Sequence, residues 1–205
     1  MAGRFVVFEG PDGSGKSTAL AAVAERLRGR GEPVLATREP GGSEAAEVLR
    51  TALLTPALGR APVASQLLLI TAARLAHLEQ TVRPALREGC TVLCDRYVDS
   101  SHVYQCSLGG VSHEALEALN AQWEIPPADL RLYFELPAEV ALARLESRPD
   151  GNRMDAADAT AWTRVARAYA EQMRRNPRGL RRVDASLDPQ AVVARILEIL
   201  DDEGA

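Results

Sequence analysis

The chain has few cysteines, no excess of positive charge and no long uninterrupted apolar run. Its 205 residues include only three cysteines, too few for a disulfide framework, so reduced thiols and a cytoplasmic location are expected. The formal net charge of −4 argues against a surface that coats nucleic acid. No apolar run is long enough to span a membrane, and an apolar segment that begins by residue 4 leaves no room for a signal peptide. Neither a nucleic acid nor a membrane is therefore an expected partner.

The cysteine spacing also gives little support for a metal site. Cys90 and Cys94 are four residues apart, but no second Cys or His pair completes a tetrahedral set with them. Cys94 lies in an apolar segment, so a buried thiol is the favoured interpretation.

The sequence does contain short apolar segments that alternate with helical periodicity. This alternation predicts an α/β fold, with a five-stranded parallel sheet flanked by helices and ligands bound at the carboxyl ends of the strands. The predicted strands are 4–8, 33–37, 91–94, 130–136 and 181–184. The predicted helices are 17–28, 44–53, 63–87 with a kink at Pro84, 112–123, 138–146, 160–175 and 189–200. Residues 56–62 are predicted to form a loop, and the length favours one domain over 1–205.

One glycine-rich motif lies between the first predicted strand and the first predicted helix. It matches the G-x-x-x-x-G-K-[ST] pattern of phosphate-binding loops. Its glycines allow backbone N–H groups to face an anion, and the start of the helix adds its positive dipole end. Lys16 is expected to reach the β- and γ-phosphates of a nucleotide, and the Ser17 hydroxyl to bind Mg²⁺. The expected ATP-binding residues here are Gly10, Asp12, Gly13, Ser14, Gly15, Lys16, Ser17 and Thr18.

Two further polar motifs follow the second and third predicted strands. They read Thr37-Arg38-Glu39-Pro40-Gly41-Gly42 and Asp95-Arg96-Tyr97-x-x-Ser100-Ser101-x-x-Tyr104-Gln105. Arg38 and Arg96 stand where forked guanidinium groups can bind an acceptor phosphate, although either could be a solvated surface arginine. Asp95 is a candidate Mg²⁺ ligand or an ion-pair partner of a neighbouring arginine, and both roles are compatible. Asp12 could act at the phosphates or simply form a turn.

Taken together, the three motifs closely resemble bacterial thymidylate kinase. The resemblance spans nearly the whole chain and includes Leu142-x-Arg144-x-x-x-Arg148 and Val183-Asp184-Ala185. It implies a P-loop nucleotide kinase fold with a mobile lid at about 148–158, and an enzyme that phosphorylates thymidine monophosphate (dTMP) with ATP and Mg²⁺. It also implies a homodimer. A nucleoside monophosphate brings its own nucleophile as a phosphate dianion, so arginines that hold two polyanions in line make chemical sense.

The resemblance also assigns roles to individual residues. Eukaryotic-type relatives carry an arginine where this chain has Gly13, so the transition-state arginine is expected from the lid. Arg144 is expected to pack on the adenine face, Ala185 is a further expected ATP-binding residue, and Ser17 and Asp95 are expected at the metal. The implied catalytic residues are Asp12, Lys16, Arg96, Arg148 and Arg153. The implied dTMP-binding residues are Asp12, Arg38, Ile70, Arg74, Arg96, Ser101, Tyr104 and Gln105. Ser101 and Tyr104 could instead have only a local structural role, and the lid arginines could serve solubility.

Two departures from the family pattern bear on the substrate. Ile70 stands where the family has an aromatic residue that stacks on thymine, and Tyr104-Gln105 is followed by Cys106-Ser107 in place of a glycine-rich segment. A kinase for another nucleoside monophosphate or for a deoxynucleoside therefore stays an alternative. A nucleotide-binding regulatory module is a second alternative, against which Lys16, Ser17 and Asp95 argue. A GTPase is disfavoured because the sequence has no N-K-x-D motif.

Overall fold

The computed structural model describes residues 3–146 and 159–203. They contain one sheet of five parallel strands in the order β2-β3-β1-β4-β5. The strands are β1 (Arg4–Glu9), β2 (Val34–Arg38), β3 (Thr91–Asp95), β4 (Leu130–Glu135) and β5 (Leu180–Asp184). Every predicted strand is present within one or two residues of its expected bounds, and the predicted parallel α/β architecture is confirmed.

The central strand β1 is buried on both faces, as its uninterrupted apolar sequence requires. Val6 and Phe8 contact the cluster that packs against α1 and α10, whereas Phe5 and Val7 belong to a second cluster on the opposite face. These four side chains are almost completely shielded from solvent. Each contributes about 1.5–3 kcal/mol of hydrophobic stabilisation, which fixes the strand that leads into the glycine-rich loop.

The helices cover both faces of this sheet. They are α1 (Lys16–Gly29), α2 (Glu44–Leu53), α3 (Pro56–Gly59), α4 (Val63–His77), α5 (Arg83–Arg87), α6 (Val98–Ser101), α7 (His113–Gln122), α8 (Ala138–Glu146), α9 (Ala159–Arg175) and α10 (Pro189–Asp202). Ser43 and Ser112 cap α2 and α7 through side-chain bonds from the N–H groups of Ala46 and Ala115, as their N-terminal positions predict. No helix among the described residues is both long and apolar enough to cross a membrane.

Two predictions about the segment between β2 and β3 were wrong. The expected loop at 56–62 contains the short helix α3, whose start is capped by Thr55. The long helix does not simply kink at Pro84, because a π-helical turn, Leu78–Val82, joins α4 to α5. Proline lacks an N–H group and its ring crowds the carbonyl four residues earlier, so a wider turn just before it accommodates the ring.

The carboxyl ends of three neighbouring strands meet at one edge of the sheet. Phe8 of β1 and Arg38 of β2 are both in register with Asp95 of β3. The segment after β3 forms α6 and then a second π-helical segment, His102–Ser107. The three polar motifs are therefore brought together at the edge where an open parallel sheet binds ligands.

Candidate active site

The glycine-rich loop between β1 and α1 closes around the ammonium group of Lys16. Gly10, Gly13 and Gly15 have φ angles of 146°, 80° and 83°, which side chains with a Cβ rarely adopt. Lys16 Nζ donates hydrogen bonds to the carbonyl of Pro11 at 2.7 Å and to Ser14 Oγ at 3.2 Å. Burial, followed by the nearby Arg96, lowers the pKa of Lys16 to about 8. The side chain is therefore still mainly cationic at pH 7, beside backbone groups that suit an anion.

Ser17 and Asp95 lie together at the start of α1 and the end of β3. The Ser17 hydroxyl donates a short hydrogen bond to Asp95 Oδ2. Asp95 Oδ1 is buried and has no hydrogen-bond partner among the described residues. A buried carboxylate oxygen without a partner is unfavourable, and oxygen donors of this kind are the ligands that Mg²⁺ prefers. The pair predicted to bind magnesium is thus brought together with one oxygen available.

A cavity of about 420 Å³ opens on one side of the loop. Several of the residues predicted to bind ATP line it, namely Gly13, Ser14, Gly15, Thr18, Arg144 and Ala185. Arg144 Nη1 donates to the carbonyl of Ala185 at 2.8 Å, so the two residues form one wall. Phe134, Val192 and Val193 supply apolar surface. Apolar side chains together with a guanidinium suit a flat aromatic base beside a phosphate-binding loop. The stacking role of Arg144 stays a prediction.

A smaller cavity of about 100 Å³ includes residues that follow β2 and β3. Six of the eight residues predicted to bind the acceptor line it: Ile70, Arg74, Arg96, Ser101, Tyr104 and Gln105. The remaining wall comes from Glu39, Pro40, Tyr97 and Ser100. The sequence motifs after β2 and β3 therefore converge on one small polar cavity with an aliphatic side chain, Ile70, in its wall.

Arg74 is the most deeply buried cation of this smaller cavity. Its Nε donates to Glu39 Oε2 at 2.7 Å and its Nη2 to Ser101 Oγ at 3.1 Å, while the guanidinium lies over the ring of Tyr97. Its Nη1 is buried without a hydrogen-bond partner among the described residues. An unpaired buried donor costs about 1–3 kcal/mol, and a ligand oxygen in the cavity would remove that cost.

Arg96 connects the smaller cavity to the glycine-rich loop. Its Nη2 donates to Asp12 Oδ1 at 2.7 Å, and its Nη1 donates to Tyr169 Oη at 2.6 Å and to Ser100 Oγ at 3.1 Å. The guanidinium also lies 5.4 Å from the centre of the Tyr104 ring. Its backbone has a φ of 73°, a conformation that is uncommon outside glycine. These contacts fix the cation between the residues predicted to hold the two substrates.

Glu9, at the end of β1, holds the segment that follows Arg96, a role that the sequence did not indicate. Its carboxylate accepts hydrogen bonds from the backbone N–H of Tyr97 at 2.7 Å and from Ser100 Oγ at 2.7 Å. Complete burial, together with the nearby Asp99, raises the pKa of Glu9 to about 7. A charged residue at the end of an otherwise apolar strand is a signal that could have identified it.

Two aromatic residues of α9 were also missed. Tyr169 is completely buried and bonds to both Arg96 and Glu9, and Trp162 Nε1 donates to the carbonyl of Asp12 at 2.9 Å. Trp162 is 150 residues from Asp12 along the chain, and Tyr169 is 160 residues from Glu9. An amphipathic pattern predicts that they are buried but does not indicate their polar partners.

Three predicted site residues, Arg38, Arg148 and Arg153, have no part in the contacts described above. Arg38 is about half exposed and forms an ion pair with Glu47 of α2 at 2.9 Å. In the described part of the chain it does not line the smaller cavity, so its contact with an acceptor phosphate stays a prediction. Arg148 and Arg153, with the predicted lid at 148–158, lie outside the described residues.

A parallel sheet, a phosphate-binding loop and two cavities bridged by an Arg–Asp pair define a P-loop nucleotide kinase. Comparisons with known proteins then give the family. A family model described as thymidylate kinase matches residues 8–196. The chain belongs to the thymidylate kinase family.

Curated relatives agree with this family over almost their entire lengths. The chain is 42% identical to the thymidylate kinase of Ectopseudomonas mendocina over 98% of this chain and 96% of that protein. It is 41% identical to the thymidylate kinase of Pseudomonas entomophila, over 98% and 95% of the two chains. It is 38% identical to that of Alcanivorax borkumensis, over 98% of both.

Proposed function

We propose that this protein transfers the γ-phosphoryl group of ATP to dTMP, giving dTDP and ADP, with Mg²⁺. The observation that carries the proposal is the position of Arg96. It lines the smaller cavity and is bonded to Asp12 of the phosphate-binding loop, whose next residues line the larger cavity. A cation held at this junction is suited to a phosphoryl group that passes between two bound nucleotides.

The proposed reaction needs positioning and charge neutralisation rather than a general base. At pH 7 the acceptor phosphate is mostly a dianion and is itself the nucleophile. Lys16 would bind the β- and γ-phosphates of ATP, while Arg96 would hold the acceptor phosphate in line with them. Arg148 or Arg153 of the proposed lid would contribute further positive charge in the transition state. Because both substrates would be bound and oriented, the bimolecular reaction of two polyanions becomes an effectively unimolecular step.

Ser17 and Asp95 are the residues proposed to hold Mg²⁺. Their oxygens match its ligand preference, and Asp95 Oδ1 has no competing partner among the described residues. When bound, the ion would neutralise charge on the β- and γ-phosphate oxygens. In the larger cavity, Arg144 would cover the adenine, which a planar guanidinium can do by stacking, with Ala185 beside it.

Thymine recognition is proposed for the smaller cavity. Arg74 Nη1 would donate to an exocyclic oxygen of the base, and Gln105 would bond to another polar atom at its edge. Ile70 and Ser101 would complete the surroundings of the base, Ile70 by apolar contact with the ring or its methyl group. Tyr104 would lie against the sugar and disfavour a 2′-hydroxyl.

The decisive experiment measures ATP consumption against a panel of nucleoside monophosphates. The expected result is Mg²⁺-dependent turnover, with the highest kcat/KM for dTMP among the monophosphates of thymidine, deoxyuridine, deoxycytidine and deoxyguanosine. Lys16→Ala is the matched inactive control and should retain the fold. A preference for another monophosphate would overturn the proposed substrate but not the kinase class, and turnover by Lys16→Ala would overturn the role of this lysine.

One observation supports a second candidate, a kinase for a different deoxynucleoside monophosphate. Ile70 lines the cavity at the position where the family has a stacking aromatic residue. An aliphatic wall gives up a base–aromatic contact worth about 1–3 kcal/mol and discriminates less between flat bases. The same panel separates the two candidates, because the second requires an acceptor that is used better than dTMP.

We further propose a homodimer formed through α2 and α4. The two helices pack against each other, and each leaves an aliphatic side chain exposed, Val48 on α2 and Leu68 on α4. The sequence of α4 is apolar on more than one face, as expected for a helix covered on two sides. Sedimentation velocity should give a dimer at micromolar concentration, and a stable monomer there would contradict this arrangement.

A further inference from the structure

A cluster of three metal-ligating side chains lies outside the two cavities described above. His102 and Cys106 belong to the π-helical segment after α6, and His113 is the first residue of α7. One Nδ1, Nε2 or Sγ atom from each residue lies within 4.8 Å of the corresponding atoms of the other two. None of the three residues lines the larger or the smaller cavity. The nucleotide kinase reaction therefore does not account for this cluster.

The two histidines are already arranged so that their lone-pair positions converge. Their Nδ1 atoms are 2.8 Å apart and their ring planes differ by 15°, so one neutral ring donates its Nδ1–H to the other. His102 is buried, and the neutral form of an imidazole is the form that binds metals.

The thiol of Cys106 completes the cluster. It is 4% exposed, and its only described hydrogen bond is a long one, from Sγ to the carbonyl of Ser112 at 3.7 Å. Such a bond is weak, so the sulfur can turn away from it at little cost. Because a metal binds cysteine as the thiolate, the thiol has to give up its proton when a cation binds.

The spacing of these atoms fits a tetrahedral ion with small adjustments. Zinc lies about 2.0–2.1 Å from imidazole nitrogen and about 2.3 Å from cysteine sulfur, so tetrahedral ligand atoms are about 3.3–3.6 Å apart. The two Nδ1 atoms would have to separate by about 0.5 Å, and the sulfur would have to approach them. Rotations of the side chains supply movements of this size. Magnesium and calcium select oxygen ligands, so a mixed nitrogen and sulfur set favours zinc over them.

We propose that His102, Cys106 and His113 form a binding site for one Zn²⁺ ion, with water as the fourth ligand. When the metal binds, the histidine that donated its Nδ1 proton takes the tautomer with the proton on Nε2, so that both Nδ1 lone pairs face the ion. The Cys106 thiol loses its proton to solvent and binds as the thiolate. One proton is therefore released for each zinc ion that binds.

The position of the site indicates what the metal would do. The segment that contains His102 and Cys106 also contains Tyr104 and Gln105, which line the smaller cavity. A metal bridge to His113 would tie this segment to the start of α7. The zinc would thus restrict the backbone that presents the acceptor-binding side chains, without contacting the substrate.

The test uses the full chain, kept reduced and free of metal, and Zn²⁺ itself as the probe. Competition with a chromophoric chelator in the absence of nucleotide should give one Zn²⁺ per chain. Cobalt replacement should give a visible spectrum typical of tetrahedral Co²⁺ together with a thiolate-to-cobalt band, which reports the cysteine directly. Titration in weak buffer at pH 7 should show the release of one proton per zinc.

Three variants decide whether these residues form the site. His113→Ala and Cys106→Ser should each weaken Zn²⁺ binding by more than the roughly 10–100-fold loss typical of changes outside the ligand set, and Cys106→Ser should abolish the thiolate-to-cobalt band. Cys90→Ser is the matched control, because Cys90 is a free cysteine outside the cluster, and it should bind like the parent chain. Circular dichroism without metal checks that each variant is folded.

The possible contrary results are distinct. The proposal is wrong if the parent chain does not bind one zinc per chain, if Co²⁺ gives no thiolate band, or if folded His113→Ala binds Zn²⁺ as the parent does. If Cys106→Ser does not fold, the spectrum of the parent chain and the His113→Ala variant still decide the question. None of these measurements depends on kinase activity, so their failure and the failure of the proposed reaction can be told apart.

Discussion

Removing one hydroxyl group, that of Tyr169, should show how far the fixed position of Arg96 supports catalysis. Tyr169 Oη accepts a hydrogen bond of 2.6 Å from Arg96 Nη1 and donates one of 3.2 Å to Glu9 Oε2. Tyr169→Phe deletes these two bonds and the 2.7 Å hydrogen bond between Tyr169 Oη and Ser100 Oγ, but preserves the ring that packs against Tyr133 and Tyr104. The substitution therefore tests the polar contacts of Tyr169 separately from its packing.

The size of the effect follows from what remains after the substitution. A hydrogen bond to a charged group contributes about 1.5–3 kcal/mol. Arg96 would keep its bonds to Ser100 and Asp12, so no buried charge is left unpaired and the lower end of this range applies. A loss of about 1.5 kcal/mol in the transition state lowers kcat/KM about tenfold. Glu9 would keep its bonds from Tyr97 and Ser100, so the melting temperature should fall only slightly.

The assay is a coupled measurement of ADP formation at saturating ATP over a range of dTMP concentrations. Tyr133→Phe is the matched control, because the ring of Tyr133 lies 6.0 Å from that of Tyr169 but Arg96 has no bond to it in the described structure. The control should keep the kcat/KM of the parent. Equal values for the parent and both variants would refute the inference that Tyr169 positions Arg96 for the reaction.

Three further predictions concern the base, the lid and a buried carboxylate. Ile70→Phe should lower KM for dTMP through a stacking contact worth about 1 kcal/mol, with kcat unchanged; steady-state kinetics showing a higher KM would mean that the cavity cannot admit the ring. Arg148→Ala or Arg153→Ala should lower kcat by roughly 10³ or more with a smaller change in KM for dTMP, and a double variant with unaltered kcat would show that the arginine comes from elsewhere. Burial raises the pKa of Glu9 to about 7, so the folded state favours the protonated carboxyl group. The contribution of this group to stability is therefore present below about pH 4.5 and is lost as the pH rises towards 7. Glu9→Gln should remove that part of the pH dependence. The measurement is urea unfolding at pH 5, 6 and 7, and the prediction is wrong if the free energy of unfolding changes equally with pH in both proteins.

The parallel sheet and the convergence of Ser17 with Asp95 could be predicted because both depend on local patterns. Apolar segments that alternate with helices determine a parallel sheet, and parallel strands end at one edge. Motifs that follow the strands must therefore meet at that edge. Arg74 and Gln105, which lie in segments next to the edge, meet there too, in the wall of the smaller cavity. The sequence could not show that Arg38 pairs with Glu47, because an exposed ion pair contributes so little free energy that no local pattern determines the partner.

The contacts that determine the geometry of Arg96 were harder to anticipate. Glu9, Ser100 and Tyr169 come from three separate parts of the chain, and none carries a signal for its particular partner. Periodicity indicates which side of α9 is buried but not which buried hydroxyl bonds to a guanidinium. The cluster of His102, Cys106 and His113 is local in the chain, but it depends on the π-helical segment His102–Ser107, which no sequence pattern described above indicates.

The bond between Arg96 and Asp12 has a thermodynamic consequence for the affinities of the two substrates. The Arg96 guanidinium borders the smaller cavity and is bonded to the loop beside the larger cavity, so a ligand that moves this guanidinium from either side would change the site that the other ligand meets. The two binding equilibria are then linked, and linkage is reciprocal: the factor by which bound ATP changes the affinity for dTMP equals the factor by which bound dTMP changes the affinity for ATP. The two substrates of this protein would therefore bind as partners in a single cooperative equilibrium rather than as independent occupants of separate cavities.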